Sequence, residues 1–325
     1  MQSYKGLNNM KIGFLYAGQG SQYVGMGKSL YENFEVAKSV FDNSDIDFDI
    51  KNLCFFGPDE KLKQTAYTQP CMVAVAVAAT RVLAQLGIVP DMVAGLSLGE
   101  YSALFAAGVL DANSTLSLTR FRGQAMEQAV EGMDSKLTAV LGLDREKLQK
   151  ACDKGSSFGI VQIANYNCPG QLVIGGQSKA VDEASKEAQA LGAKRVVKLN
   201  VSGPFHTKLM EPAAKKLAMR FESVKFNEPR IPVVFNATAC TLQPGQTVAE
   251  LLTRQVMSPV YFEDSIRYME SQGVTTIIEI GPGRVLSGFV RKTCPSMRVL
   301  TVEDAYSVKA VSVAIKSWEE QNGEQ

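Results

Sequence analysis

Three short apolar runs in this chain end in glycine turns and pass directly into helix-like stretches. KIGFLYAG (11–18) leads into G-Q-G, MVAG (92–95) into G-L-S-L-G, and TTIIEIG (275–281) into G-P-G followed by VLSGFVRKT. Strand-like runs that alternate with helical patterns predict a parallel α/β sheet with helices on its faces. Helical stretches are read at 25–43, 69–87, 98–109 and 113–130. Ligands of such sheets bind beyond the carboxyl ends of the strands, and all three glycine turns fall there.

The middle of the chain has a different order. LTAVLGL (137–143) reads as a strand, DREKLQKACDKG (144–155) as a helix, and GIVQIANYN (159–167) and QLVIGG (171–176) as strands. SKAVDEASKEAQALG (178–192) follows as a helix and KRVVKLNV (194–201) as a strand. This β-α-β-β-α-β order is that of a ferredoxin-like unit. The expected architecture is a large, hydrolase-like α/β domain built from 10–134 and 203–318, interrupted by a small ferredoxin-like domain at 135–202. The polar residues 1–9, ahead of Met10, are expected to form an extension outside the fold.

Composition removes several classes of function. At 325 residues, with 46% apolar and 21% charged residues, the chain is an ordinary soluble globular sequence. A formal net charge of +1 offers no field for nucleic acid or a membrane surface. The longest apolar stretch, 71–89, carries Arg81 and reads as a buried helix rather than a membrane span. Six cysteines (54, 71, 152, 168, 240, 294) show no C-x-x-C spacing, which suits a reducing cytoplasm. With one histidine in all, a zinc site is not expected.

The turn after the second run places Ser97 between Gly95 and Gly99. Gly-x-Ser-x-Gly between a strand and a helix fits a nucleophile elbow, where glycines relieve Cβ clashes and the helix N-terminus supplies an amide, here Leu98, to an oxyanion. Read alone, the pentapeptide fits a structural turn equally well. The chain's one histidine, His206, follows Gly203 and Pro204 just past the small domain. A cleft between the two domains would bring it to Ser97, and a neutral imidazole suits a serine hydroxyl as base. No acidic residue stands out as a third member, so a carbonyl is expected to orient the imidazole. Arg120 and Arg122 lie two apart on one helix, so at most one faces the cleft.

Seven segments, in order, resemble the malonyl-CoA:acyl carrier protein transacylases of fatty-acid synthesis and the acyltransferase domains of polyketide synthases. They are YAGQGSQYVGMG (16–27), GLSLGEYSAL (95–104), FRGQAM (121–126), IANYNCPGQLVIGG (163–176), GPFHTKLM (203–210), RQVMSPVYF (254–262) and EIGPGRVLSG (279–288). The resemblance implies Ser97 as nucleophile, His206 as base and the Gln255 backbone carbonyl as the group that orients His206. It also implies oxyanion donors at Gln19 and Leu98, a substrate carboxylate on Arg122 and the pantetheine arm near Asn165 and Asn167. Many family members carry histidine where Leu96 stands here, so part of the family's carboxylate contact is missing. Phe205 resembles the malonyl-selecting form of its motif.

The reaction so implied is a ping-pong transfer of malonyl from malonyl-CoA to the phosphopantetheine thiol of acyl carrier protein. It needs no bound cofactor or metal, and the enzyme is expected to be a cytoplasmic monomer. An acidic carrier would dock on Lys208, Lys215, Lys216 and Arg220 or on Arg284, Arg291 and Lys292. A serine thioesterase or esterase would share Ser97 and His206 without needing Arg122, and a non-catalytic carrier-binding scaffold would leave Ser97 unlabelled. The G-P-G at 281–283 reads as a turn rather than a phosphate loop.

Overall fold

Residues 10–200 and 203–323 are described by a computed structural model; the expected extension 1–9 and Val201–Ser202 lie outside them. Among the described residues ten strands form two five-stranded sheets. The strands are β1 (Ile12–Tyr16), β2 (Met92–Gly95), β3 (Ser135–Leu141), β4 (Val161–Cys168), β5 (Gln171–Gln177), β6 (Arg195–Lys198), β7 (Val233–Val234), β8 (Val260–Tyr261), β9 (Thr276–Ile280) and β10 (Arg298–Val302).

The first sheet has the order β10-β9-β1-β2-β7, and every pairing in it is parallel. Parallel sheets are covered on both faces, so their strands are apolar throughout instead of alternating. Accordingly, β1, β2 and β9 are buried along their whole length. The helix Thr65–Gln85 packs inside the protein as the composition of 71–89 predicts, and starts earlier, at Thr65. Its Arg81 donates to Ser39 Oγ at 3.3 Å. The helix expected over 25–43 is two helices, Lys28–Asn33 and Glu35–Asp42. Phe34 leaves the helical region between them (φ −138°, ψ 119°), packing its ring against the core.

The second sheet has the order β6-β3-β5-β4-β8. Strands β3 to β6 pair antiparallel, and β8 joins β4 in parallel. The helices Arg145–Gly155 and Ser178–Ala190 lay Leu148, Ala151, Val181 and Ala184 against Val140, Ile163, Leu172 and Ile174 of this sheet. The fifth strand, β8, comes from outside 135–202, so the two sheets share chain as well as a cleft. The last expected strand, 194–201, is observed as Arg195–Lys198.

Candidate active site

The turn after β2 needs its glycines for close backbone approach. A Cβ on Gly95 would run into the backbone of Gly99, and one on Gly99 into the Tyr16 carbonyl. Between them Ser97 has φ 52°, a left-handed conformation that costs a non-glycine residue about 1–3 kcal/mol. Its amide is taken up by the Asn236 side chain at 2.6 Å, and its Oγ is aimed into the cleft.

His206 is also left-handed, with φ 61°. Its Nε2 lies 2.7 Å from Ser97 Oγ and its Nδ1 2.8 Å from the Gln255 carbonyl oxygen. A carbonyl can only accept, so Nδ1 carries the proton and the Nε2 lone pair faces the hydroxyl. Burial, reinforced by the positive charge of Arg122, lowers the imidazole pKa to about 4. At neutral pH the ring is therefore an unprotonated base.

Arg122 is 1% exposed. Its Nη2 donates to Ser97 Oγ and to Gln255 Oε1, and its Nη1 to Gln69 Oε1, each at 3.0 Å. All three acceptors are neutral, and Nε has no partner. The guanidinium also lies over the Tyr101 ring, 5.6 Å from its centroid. A buried cation without an anionic partner is costly, and a carboxylate entering beside Ser97 would remove that cost. Arg120 points elsewhere: it pairs with Asp47 at 2.9 Å and lies over Tyr67.

The amides of Gln19, after β1, and Leu98, after Ser97, donate to no protein acceptor among the described residues. The Gln19 side chain is anchored to Thr65 Oγ1 at 3.0 Å, which fixes the turn that carries the amide. Asn165 and Asn167, on β4, line the same cavity of about 290 Å³ as Gln19, Ser97, Arg122 and His206. One register shift in β4 comes between Ile163 and Asn165 and a second, between Tyr166 and Cys168, falls at Asn167. Asn167 is 8% exposed and its Oδ1 has no hydrogen-bond partner. Leu96, Phe205, Val173 and Phe289 supply apolar wall.

The basic residues divide. Lys215 pairs with Glu211, Lys216 donates to Gln128, and Arg220 donates to Ser223. Lys208, Arg291 and Lys292 are exposed, while Arg284 stands 3.8 Å from Glu303. The helix Val285–Thr293, which carries Arg291 and Lys292, lends Val285, Leu286 and Phe289 to the cavity wall.

Four contributions had no signal in the sequence reading: Gln69, Asn236, Glu100 and the Gln255 side chain. Gln255 acts at two points, because its Nε2 donates to the Ser97 carbonyl at 2.8 Å while its Oε1 accepts from Arg122. Such roles are invisible in a linear chain, since they depend on partners far along it, as Gln69 and Gln255 do on Arg122 and Glu100 does on Asn236.

Residues 13–321 match the family described as acyl transferase domain. The chain is 42% identical over 315 residues to the malonyl CoA-acyl carrier protein transacylase of Bacillus subtilis, covering 96% of this chain and 98% of the relative. Its structure is similar to that of the malonyl CoA-acyl carrier protein transacylase of Clostridium perfringens, with a TM-score of 0.94, 39% identity, and coverage of 97% and 100%. It is also similar to a malonyl-transacylase solved in complex with a type II polyketide-synthase acyl-carrier protein, with a TM-score of 0.90, 37% identity, and coverage of 94% and 99%.

Proposed function

The chain belongs to the acyl transferase domain family and, within it, to the malonyl CoA-acyl carrier protein transacylases. From that premise we propose that it moves malonyl from malonyl-CoA to the phosphopantetheine thiol of an acyl carrier protein through an ester on Ser97.

In the first half, His206 Nε2 takes the hydroxyl proton as Ser97 Oγ attacks the thioester carbon. The amides of Gln19 and Leu98 receive the oxyanion. The tetrahedral adduct collapses, the carbon–sulfur bond breaks, and the imidazolium returns the proton to the CoA sulfur. In the second half the carrier thiol gives its proton to His206, attacks the malonyl ester, and Ser97 leaves with that proton. One thioester is exchanged for another, so no energy source is required. The Gln255 carbonyl holds the imidazole in the right tautomer and stabilises its charged form, in place of a triad carboxylate.

The observation that carries this reading is a buried guanidinium with only neutral acceptors, 3.0 Å from the oxygen that faces the histidine. A malonyl carboxylate supplies the missing charge, and the pair holds the acyl chain beside the oxyanion site. The pantetheine arm is assigned to Asn165 and Asn167, and the small domain that carries them is read as ferredoxin-like from its strand order. The acidic carrier is assigned to the exposed face of the helix Val285–Thr293, the basic helix that also walls the cavity. All six cysteines are free, which fits a reducing compartment, and we place the reaction in the cytoplasm.

Labelled malonyl-CoA tests the proposal. The expected result is a malonyl ester on Ser97 that persists until carrier protein is added and then appears on the carrier thiol. Release of all label as free malonate, before or after the carrier is added, would overturn it in favour of hydrolysis.

A further inference from the structure

Asn236 lies just past β7 at the edge of the first sheet, is fully buried, and uses all four of its hydrogen-bonding groups. Its Oδ1 accepts from the Ser97 amide and its Nδ2 donates to the Gly95 carbonyl, both at 2.6 Å. Its backbone amide donates to Glu100 Oε2 at 2.6 Å, and its carbonyl accepts from the Tyr261 amide at 3.0 Å. One side chain thus bridges the nucleophile turn from the residue two before the serine to the serine itself. The first turn of the helix Gly99–Ala106 holds the Asn236 backbone through Glu100. Tyr261 belongs to β8, so the same residue ties the turn to the sheet that carries Asn165 and Asn167.

We propose that Asn236, held by Glu100, is a positioning residue that keeps Ser97 in its left-handed conformation with Oγ on His206, so that its loss slows acylation without weakening substrate binding. This rests on Ser97 being the nucleophile. The chemistry of the position asks for an acceptor and a donor on one short planar group. Aspartate cannot donate to the Gly95 carbonyl, and leucine can do neither. Without the clamp the half-buried Ser97 amide loses its acceptor, and the turn is free to relax toward negative φ. Relaxation rotates Oγ off the 2.7 Å line to His206. The clamp also occupies the Ser97 amide, which leaves the oxyanion to the amides of Gln19 and Leu98.

Glu100 is fully buried, and its Oε1 has no hydrogen-bond partner. Burial raises its carboxyl pKa to about 8, opposed by the Asn236 hydrogen bond and the charge of Arg122. Burial thus favours the neutral form, which accepts at Oε2 and sets no negative charge against Arg122. A neutral amide of the same shape therefore serves the same purpose.

The test measures single-turnover malonylation of the full chain, dissociation constants for malonyl-CoA, and thermal unfolding of each variant. Asn236→Ala is expected to slow acylation about 10²-fold, the scale of a displaced reacting group, with malonyl-CoA affinity within about threefold. Glu100→Ala is expected to slow it about tenfold, and Glu100→Gln to recover most of that loss, the scale of one hydrogen bond. A role confined to stability would lower the unfolding temperature while folded enzyme kept its rate. Folded Asn236→Ala with the wild-type acylation rate overturns the proposal, as does Glu100→Gln as slow as Glu100→Ala. If Asn236→Ala does not fold, Asn236→Asp decides: it keeps the acceptor for Ser97, lacks the donor for Gly95, and is expected to be about tenfold slow, and a wild-type rate overturns the proposal. Failure of the wild-type chain to form the Ser97 ester sinks the functional reading itself, a different outcome from a wild-type ester with an unaffected Asn236 variant.

Discussion

The two walls of the cleft differ in how their polar groups are satisfied. On the wall that carries Ser97, the hydroxyl of Ser97, both ring nitrogens of His206 and the Gln255 side chain have partners inside the protein, and the open groups are the amides of Gln19 and Leu98 and the Nε of Arg122. On the wall built from β4, Asn167 Oδ1 is buried with none. A reacting centre gains from groups fixed before the substrate arrives, because no reorganisation is needed during the reaction. A binding wall gains from groups left unmatched, because the ligand then supplies the missing partner. Arg122 belongs to both kinds: it is fixed by three neutral oxygens and still lacks a counter-charge. The contrast predicts that changes on the first wall alter rates, and changes on the second alter affinity.

The hardest test of that contrast is Ser97→Ala. Acyl transfer is expected to fall on the order of 10⁴-fold or more, with no labelled ester. Malonyl-CoA affinity should stay near wild type, because the hydroxyl offers little to the ground state. Equilibrium binding and single-turnover transfer check both halves. Strong loss of binding in this variant would break the division between the walls.

His206→Ala is expected to slow acylation roughly 10²–10⁴-fold. The pH profile sharpens the point. In the proposed reaction His206 acts unprotonated, and its pKa is lowered to about 4 by burial and Arg122. Activity should therefore persist as pH falls through 6.5, the ordinary histidine range, and decline only on approach to about 4. Single-turnover acylation across pH 4–7 in enzyme that stays folded measures this. A half-maximal point near 6.5 would mean that the ring is hydrated in the working enzyme and that the first wall is less closed than its geometry.

Arg122→Ala comes next, and it separates the two functions of this residue. Removing a buried charge partner costs about 3–5 kcal/mol. The preference for malonyl-CoA over acetyl-CoA should accordingly shrink about 10²–10³-fold. Competition between the two donors measures it. An unchanged preference would assign the arginine to holding Ser97 and Gln255 alone.

The same contrast explains what could be read from the sequence. Three strands of the first sheet, β1, β2 and β9, were legible because they are buried along their length and end in glycine turns, as at Gly95, while β7 and the more exposed β10 were not read. The meeting of Ser97 and His206, 2.7 Å apart, was legible because the elbow has a fixed spacing and the chain has a single imidazole. The strands of 135–202 could be read from their order, but β8 could not, since two residues joining a sheet from far along the chain leave no periodic pattern. The break at Phe34 was hidden because both flanking segments are helical and apolar on one side. Gln69, Asn236 and Glu100 were silent for a related reason. Their roles come from tertiary hydrogen bonds across 53, 139 and 136 positions, and nothing local distinguishes them from turn or surface residues.

The smallest effect is expected on the second wall. Asn167→Ala removes an amide whose oxygen is unpartnered in the free protein, so folding loses no hydrogen bond at that atom and stability should hold or rise slightly. On the proposed assignment of the pantetheine arm, what is lost is one neutral hydrogen bond, about 0.5–1.5 kcal/mol, or a weakening of roughly 2–13-fold. That loss should appear in KM for both malonyl-CoA and the phosphopantetheinylated carrier, because both present a pantetheine, while kcat stays within about twofold. Steady-state kinetics with each substrate varied in turn checks it. A fall in kcat with KM unchanged would place Asn167 with the reacting groups, and the two walls would no longer divide rate from affinity.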